Sequence, residues 1–190
     1  MSDSKESFSY NVSYTISANQ GADEAEKLTP SELWQGVRRG ARYPGDFGPF
    51  VRSCEVTSGN SAKFVREIDI GDGAVHINDG TKIVQDVVVQ KNLLVSATTR
   101  DTGARTTMVC SYGMGASDED DDMRPHLTLY YELLMGDKAP EPGSVEARDI
   151  MTNYRGLAKN MVAESIKTIR GWKLEGKLAR WAEEEENGVW

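Results

Sequence analysis

Residues 8–18 alternate without interruption: Phe8, Tyr10, Val12, Tyr14 and Ile16 share one parity, and Ser9, Asn11, Ser13, Thr15 and Ser17 share the other. Successive side chains of a strand point to opposite faces, so this pattern predicts a half-buried strand. Residues 19–27 are polar and predict a loop. Thr29-Pro30-Ser31-Glu32 then predicts a helix start, with Thr29 as N-cap, Pro30 at the first helical position and Glu32 reaching back to the Thr29 backbone. Leu33, Trp34 and Val37 give this helix an apolar side, and Gly40 marks its expected end. From Tyr43 to Pro49 the chain is too rich in Pro and Gly for more than one short helical turn.

Strand patterns then follow one another at 51–58, 63–70, 81–89, 93–100, 105–113 and 126–135, separated by turn residues such as Ser58-Gly59-Asn60, Asn78-Asp79-Gly80 and Asp101-Thr102-Gly103. Connections this short join antiparallel neighbours, which predicts a meander. The last connection, 114–124, is longer and acidic. After Pro140-Glu141-Pro142-Gly143, Ser144 is the expected cap of a long helix. Ile150, Tyr154, Leu157, Met161, Val162, Ile166 and Ile169 form one apolar stripe over about five turns. Gly171 and Gly176 interrupt it, and residues 172–190 are expected as a frayed or separate extension. The expected organisation is a disordered stretch at 1–7, a ligand-binding domain at 8–171 and a C-terminal extension at 172–190.

The formal net charge of −8 excludes a phosphate-binding basic face, so no nucleic-acid partner is expected. No apolar run approaches the roughly 20 residues that span a bilayer, and Met1 to Ser7 are polar rather than a signal peptide. The expected location is the cytoplasm. The only cysteines, Cys54 and Cys110, lie in strand-like runs without CxxC spacing and read as reduced thiols. With His76 and His126 as the only histidines, a zinc site would need nearly all four residues to converge. No nucleophile-elbow motif is present. The acidic run 118–122 lacks the glycine and bidentate glutamate of a calcium loop, so no metal is expected.

A sheet with one apolar face must cover it, and the only long apolar helical stripe lies near the C-terminus. The prediction is an α+β fold in which a curved seven-stranded antiparallel sheet wraps one long helix, with one or two short helices after the first strand. A cavity is expected where sheet and helix diverge. The stretches Leu28-Thr-Pro-Ser-Glu-Leu-Trp34, Phe50-Val-Arg-Ser-Cys-Glu-Val56 and Arg66-Glu-Ile-Asp-Ile-Gly71 resemble the AtaL-like branch of the START/SRPBCC superfamily. Gln85-Asp86-Val87 and Leu127-Thr-Leu-Tyr-Tyr-Glu132 resemble its later strands. The resemblance covers most of 8–178, departing at 19–27, the acidic loop and the tail. It implies the helix-grip fold and a hydrophobic small-molecule ligand. Members of the superfamily bind lipids, hormones, polyketides or alkaloids; some are cyclases or isomerases without cofactors, others carriers. No catalytic residues carry over from it.

Polar residues on apolar strand faces are therefore the candidates for chemistry. Arg66 shares a face with Phe64, Ile68 and Ile70, where a guanidinium must meet a carboxylate, carbonyls, water or a ligand. Glu132 or Asp86 would make it scaffold; a ligand anion or carbonyl would make it functional. Gln85 lies with Ile83, Val87 and Val89. Met108, Cys110 and Tyr112 form the bulkier of two possible inward sets on their strand. On the last strand Leu127, Leu129, Tyr131 and Leu133 form the expected inner face, the alternative turning Glu132 inward toward Arg66. Tyr154 lies on the stripe of the long helix. Trp34, with Tyr43 and Phe47, either gates a cavity or packs the first helix. His76 is either an exposed turn residue or a general base at the rim.

The expected catalytic set is Arg66, Gln85 and Tyr112, and the expected ligand contacts are Trp34, Phe64, Met108, Tyr131 and Tyr154. The leading functional reading is a cofactor-independent cyclase, isomerase or pericyclase acting on a hydrophobic natural-product intermediate. A carrier that does no chemistry is the alternative, and an interaction protein using Trp172, Trp181 and Trp190 is a third. Monomer and homodimer both remain open.

Overall fold

The capping residues at 29–32 act as their chemistry requires: Thr29 Oγ1 accepts from Glu32 N at 3.2 Å, and Glu32 Oε2 accepts from Thr29 N at 2.8 Å. A computed structural model describes residues 8–74, 76–113, 124–135 and 139–188. The acidic run 118–122, the first seven residues and Trp190 lie outside the described residues. Helix α1 (Pro30–Arg42) follows strand β1 (Ser9–Ser17), and a 3₁₀ turn occupies Pro44–Asp46. The polar insert also holds a 3₁₀ turn at Glu24–Glu26, stabilised by an Asp23–Glu26 capping box. Then come β2 (Val51–Gly59), β3 (Lys63–Ile70), β4 (Lys82–Gln90), β5 (Leu94–Thr99), β6 (Arg105–Gly113) and β7 (Arg124–Leu134).

Among the described residues these strands make one curved antiparallel sheet in the order β1-β7-β6-β5-β4-β3-β2. The meander runs from β2 to β7, and β1 closes against β7 with Val12 opposite Tyr131 and Tyr14 opposite Leu129. Residues directly opposite share a face, so the register decides which side chains meet. Bulges shift the β2–β3 register twice, at the edge strand β2. Helix α2 (Val145–Leu174) packs on β1 and β7, its N-terminus capped by Ser144 Oγ accepting from Ala147 N at 3.1 Å. The α+β helix-grip architecture read from the sequence holds. Among the described residues no helix is long and apolar enough to cross a membrane.

Gly40 is not the expected helix stop, because α1 continues to Arg42; it and Gly36 have another role. A Cβ on Gly36 would lie 2.4 Å from Ile169 Cγ1, and one on Gly40 would lie 2.2 Å from Phe47 Cε2. They let α2 and the Phe47 ring approach the α1 backbone.

The C-terminal segment departs most from expectation. The expected boundary at residue 171 falls inside α2, and after a left-handed turn at Gly176 (φ 72°) helix α3 (Lys177–Glu186) folds back onto α1 and α2. Trp172, Leu178 and Trp181 are buried in the main core with Trp34, Val37, Phe47 and Ile169. Trp172 meets Trp181 edge-on at 5.1 Å and Phe47 at 5.4 Å. Glu185 Oε1 lies 3.0 Å from Arg38 Nη1, and Gln35 Nε2 donates to Glu185 Oε2 at 2.7 Å. Read locally, two glycines and an acidic run suggest fraying; in the fold, the apolar Trp and Leu side chains find a surface and one glutamate finds a cation. Trp172 and Trp181, buried here, present no surface to a partner.

Candidate functional site

Where the inner face of the sheet, the C-terminal end of α1 and the middle of α2 part, they enclose a cavity of about 230 Å³. Ile68, Ile83, Val95, Met108 and Leu129 make most of its sheet wall apolar. Ala74 and Ile77, from the β3–β4 connection, line one side, and Leu157, Met161 and Ser165 line the helix side.

A polar rung crosses this wall. Arg66 is opposite Gln85, and Gln85 is opposite Thr99, so the three side chains lie abreast on β3, β4 and β5. Arg66 donates from Nε at 3.0 Å and from Nη2 at 2.8 Å to Gln85 Oε1, and Gln85 Nε2 donates to Thr99 Oγ1 at 3.2 Å. On its other side Arg66 Nη1 donates to the main-chain carbonyls of Ala41 at 2.5 Å and Gly40 at 3.5 Å. These belong to the last turn of α1, where the helix carries about half a negative charge. The compensation is partial: each of these four hydrogen bonds goes to a neutral oxygen. Asp86 instead holds Arg100 at 2.7 and 3.0 Å, and Glu132 Oε2 lies 3.1 Å from Arg105 Nη1, near enough for an ion pair though not aligned as a hydrogen bond. Burial pushes the Arg66 guanidinium down to about 10, against a smaller opposing effect of Cys54, and leaves it a cation at neutral pH.

At another part of the wall Tyr131 and Tyr154 meet edge to face with ring centroids 5.9 Å apart. Burial, with a smaller contribution from Tyr154, holds the Tyr131 phenol well above its ordinary value, and burial raises Tyr154 too, so both stay protonated. His76, exposed in the β3–β4 connection, stacks on Tyr154 at 6.1 Å with its Nε2 3.0 Å from Asn153 Nδ2. Cys54 and Cys110 are both free thiols, and burial pushes Cys110 up to about 12. Among the described residues no group of three His, Cys, Asp or Glu gathers in a metal-binding cluster.

The cavity thus brings together Arg66, Gln85, Met108, Tyr131 and Tyr154 from the sequence-derived set. Three other residues of that set lie elsewhere. Tyr112 has the inward parity of Met108 and Cys110 but stands opposite Pro125 near the end of its strand, beyond the packed core, and is 66% exposed. Trp34 is fully buried in the main core, packs α1 down and does not line this cavity. Phe64 is buried in the same core, with the Arg42 guanidinium 4.9 Å from its ring centroid. Of the two readings of β7, Tyr131 faces inward with the leucines; Glu132 also reaches the cavity lining, but beside Arg105 rather than Arg66. Thr99, Ser165 and the α1 carbonyls were not anticipated. Ser165 did leave a signal, as a polar residue one turn from both Met161 and Ile169 on the apolar stripe.

A family model described as AtaL, acetylaranotin biosynthesis cluster protein L, matches residues 12–176. The acetylaranotin biosynthesis cluster protein L of Aspergillus terreus (strain NIH 2624 / FGSC A1156) is 31% identical over 174 residues, covering 90% of this chain and 95% of that protein. Among solved structures, Zhui aromatase/cyclase from Streptomyces sp. R1128 superposes with a TM-score of 0.55 at 10% identity, over 87% of this chain and 94% of that one. Ara h 8.0201 gives a TM-score of 0.52 at 10% identity, over 88% and 99%. At that identity these two structures share the fold alone.

Proposed function

The chain belongs to the acetylaranotin biosynthesis cluster protein L family, and we propose that it serves secondary metabolism by binding an apolar biosynthetic intermediate in the cavity and acting on it as a cofactor-independent cyclase, isomerase or pericyclase. One observation carries the reading: Arg66, 7% exposed, lines an apolar cavity as a cation whose hydrogen-bond partners among the described residues are all neutral. A ligand carbonyl, enolate or carboxylate placed beside it supplies the missing negative charge.

The chemistry follows from that placement. Gln85 and the α1 carbonyls fix the guanidinium, so no reorganisation is needed when charge develops on a ligand oxygen. The apolar walls fold a flexible substrate into a reactive conformer. Tyr131 and Tyr154, kept protonated by burial, donate hydrogen bonds rather than remove protons. Such a site favours bond reorganisation by electrophilic activation and conformational restraint over general-base chemistry. Glu132, the one carboxylate among the described lining residues, lies within ion-pair distance of Arg105, and a site whose one base is so engaged also suits the second reading, a carrier that shields the same intermediate unchanged.

The test pairs Arg66→Met with the wild-type protein, comparing thermal unfolding and calorimetric titration with 2-naphthoate. The expected result is a variant that folds and binds at least tenfold more weakly, the loss of one charge-assisted hydrogen bond of about 1.5–3 kcal/mol. Severe destabilisation with unchanged binding would make Arg66 scaffold. Deleting the gene separates enzyme from carrier: an accumulating intermediate that the purified protein alone converts identifies an enzyme, and one that it binds without conversion identifies a carrier.

A further inference from the structure

Ser165 lies within α2, fully buried on the cavity wall, and its hydroxyl has no hydrogen-bond partner among the described residues. A hydroxyl inside a helix ordinarily turns back to the carbonyl one turn earlier. Thr152 does so on the same helix, donating to Arg148 O at 3.0 Å. Ser165 leaves this option unused, and a buried hydroxyl without a partner is destabilising. Its position adds meaning. One turn along α2, Ile169 packs on Gly36 of α1; Gly40, one turn along α1, lines the cavity as Ser165 does. Ser165 therefore flanks the helix crossing, at the end of the cavity where Arg66 takes the carbonyls of Gly40 and Ala41.

We propose that Ser165 is a ligand-recognition residue whose hydroxyl hydrogen-bonds a neutral hydroxyl or carbonyl oxygen of the bound molecule, while Arg66 holds a second, electron-rich oxygen. This rests on the cavity being the ligand site, and it narrows the substrate class to apolar molecules with two oxygen functions, one of them acidic or strongly polarised. A ligand with a single oxygen leaves one of the two groups unanswered and binds less well.

The experiment titrates 2-naphthoate and its 1-, 3- and 6-hydroxy derivatives into wild type, Ser165→Ala and Arg66→Met, and records each ligand-free melting temperature. At least one hydroxylated isomer should bind wild type about five- to tenfold more tightly than 2-naphthoate, the worth of one neutral hydrogen bond. Ser165→Ala should erase that advantage, leave 2-naphthoate within about twofold, and melt at the wild-type temperature or above. The assignment is overturned if the advantage survives in Ser165→Ala, if no isomer gains, or if ligand-free Ser165→Ala melts more than about 5 °C lower, which would mean a hydroxyl paired inside the protein. Arg66→Met should weaken every naphthoate alike. If it weakens none while Ser165→Ala still erases the advantage, the role of Arg66 fails and that of Ser165 stands. Failure of every naphthoate to bind wild type overturns both.

Discussion

Gln85 Oε1 accepts two hydrogen bonds from Arg66, at 2.8 and 3.0 Å, so the side chain that orients the buried guanidinium is an amide rather than a carboxylate. A glutamate at this position would hold the same fork and cancel its charge. The amide positions the cation and leaves its charge available to a ligand.

Gln85→Glu should therefore separate folding from binding. The new carboxylate forms a buried ion pair with Arg66, and thermal unfolding should stay close to wild type. Titration with 2-naphthoate should show affinity at least tenfold lower, because the anion site is already filled. Gln85→Leu acts differently: it leaves two N–H groups of a buried cation unpaired and should cost about 1–3 kcal/mol in denaturant unfolding.

Removing 175–190 should damage the fold. Leu178 and Trp181 are each about 95% or more buried, and burying side chains of this kind contributes about 1.5–3 kcal/mol apiece. Their loss, with Trp172 newly exposed, is a large part of the 5–15 kcal/mol that holds a domain together. Low soluble yield or a non-cooperative melt is expected; a truncated protein melting at the wild-type temperature would show that α3 contributes nothing.

Acid should weaken the attachment of α3. Burial alone would raise the Glu185 carboxyl, but the hydrogen bond from Gln35 and the charges of Arg38 and Lys91 outweigh it and hold the carboxyl below its ordinary 4.5. The folded state then binds this proton less readily than the unfolded chain. The stabilisation is fully present above about pH 4.5 and is lost as pH falls through the lowered value. Glu185→Gln should melt about 4 °C below wild type at pH 7, with the gap narrowing once the pH is low enough to protonate the Glu185 carboxyl. A gap of equal size at neutral and at acid pH would show that the charge is immaterial.

Gly36→Ala should test how closely the helices cross. Alanine favours a helix by about 1 kcal/mol over glycine, yet its Cβ would stand 2.4 Å from Ile169 Cγ1 and 2.7 Å from Cγ2. A β-branched side chain in a helix is held to one χ1 rotamer, so Ile169 cannot easily turn these carbons away and the clash should prevail, for a net loss of about 1–2 kcal/mol in chemical denaturation. A gain in stability would mean that α1 and α2 separate easily.

The alternation of side chains in a strand is a local property, so the faces of the sheet were open to reading residue by residue. Arg66 among Phe64, Ile68 and Ile70, Gln85 beside Val87, and Tyr131 between Leu129 and Leu133 follow from period two alone. The caps at Thr29 and Ser144, the meander and the stripe of α2 follow from equally short stretches. What lies opposite a face is set by residues far away in the chain. Tyr112 and Met108 have the same parity, yet only Met108 reaches the part of the sheet where it parts from the helices. Arg66 met two carbonyls of α1 and an amide of β4 rather than Glu132 or Asp86, because register and helix placement chose its neighbours. Trp172 and Trp181 became core because α3 folds back at Gly176 onto α1, whose residues lie more than 130 positions earlier in the sequence. The pattern along the chain determined which side chains turn inward; only the distance between sheet and helices at each point decided which of them pack as core and which are left facing a cavity.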